Sequence, residues 1–163
     1  MKKTSFFTII LLILCLNIFG QHVGMTFKEA ESQGIDIKKL DSIYMSAVNV
    51  ADSSKGVFKT EKEQDAMGEA WISFLKDFGK FLHSNNFKWE KPTRCFNRVY
   101  FNSDGTIDYF LFNFTVKNEY KPSEEIQIKF QELLNKFIQD HKISIVANSK
   151  YAQCGPTTYM PKE

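Results

Sequence analysis

No apolar run in this chain reaches the roughly 20 residues that a membrane-spanning helix needs. The longest, Phe6 to Leu16, stops short. Behind the positive start of Lys2 and Lys3 it reads as the core of a cleavable signal peptide, residues 1–20, cut after the small residue Gly20. An uncleaved anchor would need a longer run, and a lipoprotein would need a small residue before its cysteine, where Leu14 precedes Cys15. The expectation is export, to a periplasm or the medium, with no membrane span in the mature chain, 21–163.

Charge of one sign is lacking too. The chain has 21 basic and 19 acidic residues, and Lys2 and Lys3 leave with the leader, so the mature chain is balanced. Nucleic acid and anionic membrane surfaces select a net basic face, so no nucleic-acid partner is expected. There is no glycine-rich phosphate loop, no Gly-x-Ser-x-Gly elbow and no His-Glu-x-x-His helix, which removes the enzyme classes those motifs serve. His22, His83 and His141 are not at ligand spacing, and the last two close predicted helices, where partial positive charge suits the dipole. Asn102, Asp104, Thr106 and Asp108 alternate as oxygen donors, but their spacing is that of a hairpin turn and not of a calcium loop. No metal and no cofactor is expected.

Cysteine is scarce, with three in the chain, and Cys15 belongs to the leader. In an oxidising compartment the remaining pair, Cys95 and Cys154, is expected to form a disulfide, contributing roughly 4 kcal/mol in the chain-entropy model. Around it, Gln153-Cys154-Gly155-Pro156 has the look of a thioredoxin-like motif, yet Thr157 stands where its second cysteine would be.

What the chain does have is aromatic side chains, 15% of all residues, enough for a folded core in one domain. Thr26-Phe27-Lys28-Glu29 is a capping box that opens a short helix ended by Gly34, and a second short helix starts at Asp36, so that 26–48 holds two N-terminal helices. Residues 49–59 lack periodicity and read as an exposed loop. A second capping box, Thr60-Glu61-Lys62-Glu63, opens a long helix whose stripe of Met67, Trp71, Phe74, Leu75, Phe78, Phe81 and Leu82 marks a core face. Two strands follow, Arg94 to Phe101 and Thr106 to Val116, joined at Asn102-Ser103-Asp104-Gly105 in a tight hairpin. Ser123 caps a further helix to Asp140, Ile143 to Ala147 reads as a third strand, and 148–163 as an irregular tail.

The predicted class is therefore α+β: a three-stranded, mainly antiparallel sheet in the order helix-strand-strand-helix-strand, core 60–147, packed on two long helices with the two short N-terminal ones. In that arrangement the hairpin segment Val99-Tyr100-Phe101-Asn102-Ser103-Asp104-Gly105-Thr106-Ile107, with the Ser123 to Asp140 helix and a closing strand, resembles the C-terminal domain of TonB-type energy transducers over about residues 61–147. The resemblance implies a partner-binding fold. Energy transduction would need a retained anchor and a Pro-rich spacer, and neither is seen.

On strand alternation Cys95, Val99, Phe101, Ile107, Tyr109 and Leu111 share one side of the hairpin and Phe96, Tyr100, Phe110, Phe112 and Phe114 the other. Two long helices cover one face of a small sheet, which leaves the second aromatic set either under the N-terminal helices, through Ile37, Leu40, Ile43 and Tyr44, or open as a binding face. The leading functional reading is an exported, non-enzymatic binding or interaction domain, taking a protein, a peptide or an apolar small molecule on Phe96, Tyr100, Phe110, Phe112 and Phe114 or on the sheet edge beside Ile143 to Ala147. Two others stand beside it: a small extracytoplasmic hydrolase with Cys154 as nucleophile and His141 as base, and a structural component of the cell envelope. The oligomeric state is left open.

Overall fold

The computed structural model describes residues 22–114 and 121–161. The expected leader, Cys15 with it, lies outside these residues, as does the predicted end of the second hairpin strand at Val116. In chain order the elements are β1 (Val23–Thr26), α1 (Phe27–Ser32), α2 (Ile37–Ile43), β2 (Met45–Ser46), a short 3-10 turn (Ser53–Lys55), α3 (Glu61–Ser84), β3 (Thr93–Phe101), β4 (Ile107–Phe114), α4 (Glu124–Asp140) and β5 (Tyr151–Tyr159).

The class is α+β, but the sheet is not the expected three-stranded one on two long helices. Five strands form a single mixed sheet in the order β1-β4-β3-β5-β2. The central β4, β3 and β5 run antiparallel, while β1 lies parallel to β4 and β2 parallel to β5. Helices α3 and α4 cover one face of it. On the other face Ala30 of α1, Leu40 of α2 and Tyr44 pack on Tyr100 and Leu111.

The helices begin where their caps put them. In both capping boxes, Thr26 with Glu29 and Thr60 with Glu63, the threonine hydroxyl accepts from the amide of the third helical residue while the glutamate carboxylate accepts from the cap amide, satisfying orphan donors reciprocally. The α3 stripe of Met67, Ala70, Trp71, Phe74, Phe78 and Leu82 is buried, and so are Phe130, Leu133, Leu134, Phe137 and Ile138 of α4. Burial of this kind is what holds such helices, since their intrinsic stability in water is marginal.

Two expected elements are corrected. Residues 143–147 are not a strand but a strap. Ile143 donates its amide to Gly105 O at 3.1 Å and Ala147 donates to Ser103 O at 2.8 Å, so their backbone bonds go to the hairpin turn and not to the sheet. The alternation that suggests a strand is real, because Ile143 is buried and Ile145 packs on the same core. At Gly105 φ is +85°, and an added Cβ would lie 2.5 Å from Ile143 O, so the strap closes over a position that only glycine fits. The expected irregular tail supplies β5, the longest partner of β3. Its Gly155-Pro156 pair argues against a strand, yet Gly155 faces Trp71, whose Nε1 would be 3.4 Å from an added Cβ, and Pro156 stands in a strand with one open edge, the place a sheet tolerates proline.

The other edge of the sheet is closed by a side chain. Asn135 of α4 accepts from the Gly24 amide at 2.8 Å and donates to Gly24 O at 2.8 Å, so one amide group stands in for a neighbouring strand. One turn on, Gln139 donates to His22 O at 2.9 Å. One turn before, Gln131 donates to Glu29 at 3.2 Å. A polar row spaced by four along α4 thus satisfies the edge of β1, which removes a template for strand addition.

Candidate functional site

The five aromatic residues expected to share a face do not share one. Phe110, Phe112 and Phe114 lie on the α3/α4 side, buried to 0%, 1% and 7% exposure, while Tyr100 is buried on the other side against Tyr44. Phe96 is half-buried there, its ring 6.1 Å from Phe27. The cause is a bulge: Phe101 pairs with Ile107 but Tyr100 pairs with Tyr109, so Asp108 is an extra residue in β4. A one-residue shift sends every later side chain to the opposite face. Ile107 therefore stays with Val99 and Phe101, and Tyr109 and Leu111 change sides.

The expected disulfide is not formed. Cys95 pairs across the sheet with Thr157 while Cys154 pairs with Arg98, three residues away, and strand alternation puts the two on opposite faces. Nor does the fold bring Cys154 to His141. The imidazole stacks on Phe137 at 4.0 Å and donates from Nδ1 to Phe137 O, on the α3/α4 side, whereas Cys154 is exposed on the other. Burial pushes the Cys95 thiol up to about 12. In the folded protein without reductant, Cys154 should react with a maleimide in a single fast phase and Cys95 only on unfolding. Two inert thiols, or two equally fast ones, would contradict the arrangement.

A concave feature of the surface lies elsewhere. Beyond its buried stripe, α3 turns a second set of residues toward the outer side of β5, including Ile72, Leu75, Lys76 and Gly79. With Trp89 of the following turn and the end of β5 from Pro156 to Met160 they line an open groove of about 770 Å³. Its floor is aromatic: Trp89 stacks on Tyr159 with ring centroids 4.8 Å apart, and Phe87 meets Trp89 edge-on at 4.8 Å. Ile72 and Met160 are 54% and 61% exposed. Gly79 recesses the wall, since an added Cβ would find no atom within 4 Å.

Along this groove the edge of β5 is open. Ala47 donates to Ala152 O at 2.8 Å, so the Ala152 backbone points away from β3. Alternation then directs the backbone groups of Cys154, Pro156 and Thr158 outward as well, and proline, with no amide to offer, occupies one of these outward positions. Strand β2 pairs only with Tyr151 and Ala152. Among the described residues no strand pairs with Gln153–Tyr159 on that side. The Gln153 side chain donates to Cys154 O at 3.3 Å.

Nothing in the sequence reading pointed to this groove. Two signals are present: Ile72 is apolar but off the Met67–Leu82 stripe, and Pro156 is where proline belongs in an edge strand. Both gain meaning only once β5 is known to be a strand. No family model matches the chain, and neither a curated protein nor a solved structure matches it. Among the described residues no helix is long and apolar enough to cross a membrane.

Proposed function

We propose that this is an exported, non-enzymatic binding domain that takes an extended polypeptide segment along the free edge of β5, with part of that segment in the groove against α3. One observation carries the reading: an unpaired run of strand edge lies directly beside an apolar groove, so main-chain hydrogen bonds and side-chain burial are offered to the same ligand. Export rests on the signal-peptide reading of residues 1–20. A partner-binding role also accords with what the resemblance of residues 61–147 to TonB-type C-terminal domains implies.

The test is a nuclear magnetic resonance titration of the mature protein with a synthetic peptide of alternating valine and threonine. The Cys154 and Thr158 amides should shift and gain protection from exchange. Gly79→Leu, whose Cβ would meet no atom within 4 Å and whose side chain extends from the groove wall, should weaken binding about tenfold or more without lowering the melting temperature, since leucine is the better helix former. Shifts that map to another surface, or binding that Gly79→Leu leaves intact, would overturn the reading.

A further inference from the structure

The groove also carries information about the sequence it accepts. Among the described residues its lining includes Lys76, Lys80, His83 and Lys88 and no aspartate or glutamate. Lys80 is engaged by Asp77 at 2.8 Å, which leaves Lys76 and Lys88 as the cations facing the cleft. A strand laid on β5 would turn alternate side chains to the two faces of the sheet. One set would meet Ile72, Leu75 and Trp89; the other would meet solvent beside the exposed residues Cys154, Pro156 and Thr158.

From these constraints, and resting on the strand-addition reading above, we infer that the partner segment alternates apolar and polar residues and carries acidic residues at its ends, so that its carboxylates meet Lys76 and Lys88. Two of the nine residues of β5 are taken by β2. The free remainder, Gln153–Tyr159, gives roughly 20 Å of edge at about 3.3 Å per residue, which sets the length of the segment. The same charges argue against a second copy of this chain as the occupant. A twofold pairing of two β5 edges would bring one set of lysines against the other, and like charges in juxtaposition oppose association.

The experiment compares two synthetic peptides with one alternating valine–threonine centre, one with aspartate at both ends and one with lysine, by isothermal titration at low and at high salt. The aspartate peptide should bind about tenfold tighter at low salt, the margin shrinking as salt rises, and the double variant Lys76→Glu, Lys88→Glu should invert the preference. Both lysines are on the surface, so a melting curve confirms that the variant is folded. Equal binding of the two peptides at the groove would overturn the acidic preference and leave the edge reading standing. Tighter binding of the lysine peptide would overturn it in the same way. Absence of binding by either would overturn the edge reading itself, and a response to decanoate alone would replace the peptide by an apolar acid.

Discussion

Phe130→Ala should cost this protein about 3–5 kcal/mol, the range for deleting a fully buried aromatic ring. The residue has 0% exposure. Its ring meets Phe78 at 5.4 Å, Trp89 at 5.5 Å, Phe112 at 5.0 Å, Phe114 at 5.5 Å and Tyr159 at 5.8 Å. Those partners come from α3, the turn after it, β4 and β5, so no single element can move in to fill the space. Offset and edge-to-face pairs of this kind are worth about 0.5–1.5 kcal/mol beyond area burial, which places the expected loss toward the upper end. Urea denaturation is the measurement. A loss below about 1 kcal/mol would mean that the site collapses, and that the aromatic cluster is less closely packed than its ring distances imply. Trp89 and Tyr159 rest on Phe130 and floor the groove, so peptide affinity should fall together with stability. Ile72→Ala gives the contrast: an exposed groove residue, it should change stability by about 0.5 kcal/mol or less while weakening peptide binding.

The parts of the fold that were legible in the sequence are those fixed by local chemistry. Thr60 and Glu63 mark the start of α3 because a capping box needs only residues three apart, and the Met67–Leu82 stripe shows which side is buried. Ser123 and the stripe of α4 work alike, and Asp104-Gly105 marks the hairpin turn. What stayed hidden depends on partners distant in sequence. The bulge at Asp108 leaves no composition signature, yet it reverses the faces of Tyr109 through Phe114, so a bulge-free alternation assigns the hairpin wrongly from that residue on. Strand β5 owes its form to Trp71 above Gly155 and to pairing with β3, neither of which local propensity registers. Strands β1 and β2 have four and two residues and exist by parallel pairing alone. The candidate groove inherits this difficulty. Its α3 wall is a helix face that looks merely mixed, and its other wall is the strand least visible in the sequence.

Asp108 should be the most damaging polar position to change, because the bulge that displaces it also makes it a hub. Its carboxylate accepts from the Tyr44 hydroxyl, from Asn102 Nδ2 at 2.7 Å and from Lys150 Nζ at 2.9 Å. The Asp108 side chain is 12% exposed and that of Lys150 45%. Burial, and then the bond to Asp108, raise the Tyr44 phenol above the ordinary tyrosine range, so it remains a neutral donor at any pH at which the protein works. One acceptor group thus serves three donors drawn from the end of α2, the hairpin turn and the residue before β5. Asp108→Ala leaves the Tyr44 hydroxyl and the Asn102 amide short of a partner in a largely dry site, with an expected cost of about 3 kcal/mol. Asp108→Asn keeps an oxygen for Asn102 but turns an amide toward Lys150, and about half that cost is expected. The readout that separates this network from plain packing is local. Tyr44 immediately precedes β2, and Lys150 immediately precedes β5, so loss of the hub should speed hydrogen exchange at the Ala47 amide, which bonds Ala152 O, well before global unfolding. Unchanged exchange at Ala47 in Asp108→Ala would show that β2 holds its place on β5 without the carboxylate. If the network does anchor β2, its loss frees the backbone of Ala152 and lengthens the open edge on which the proposed ligand lies.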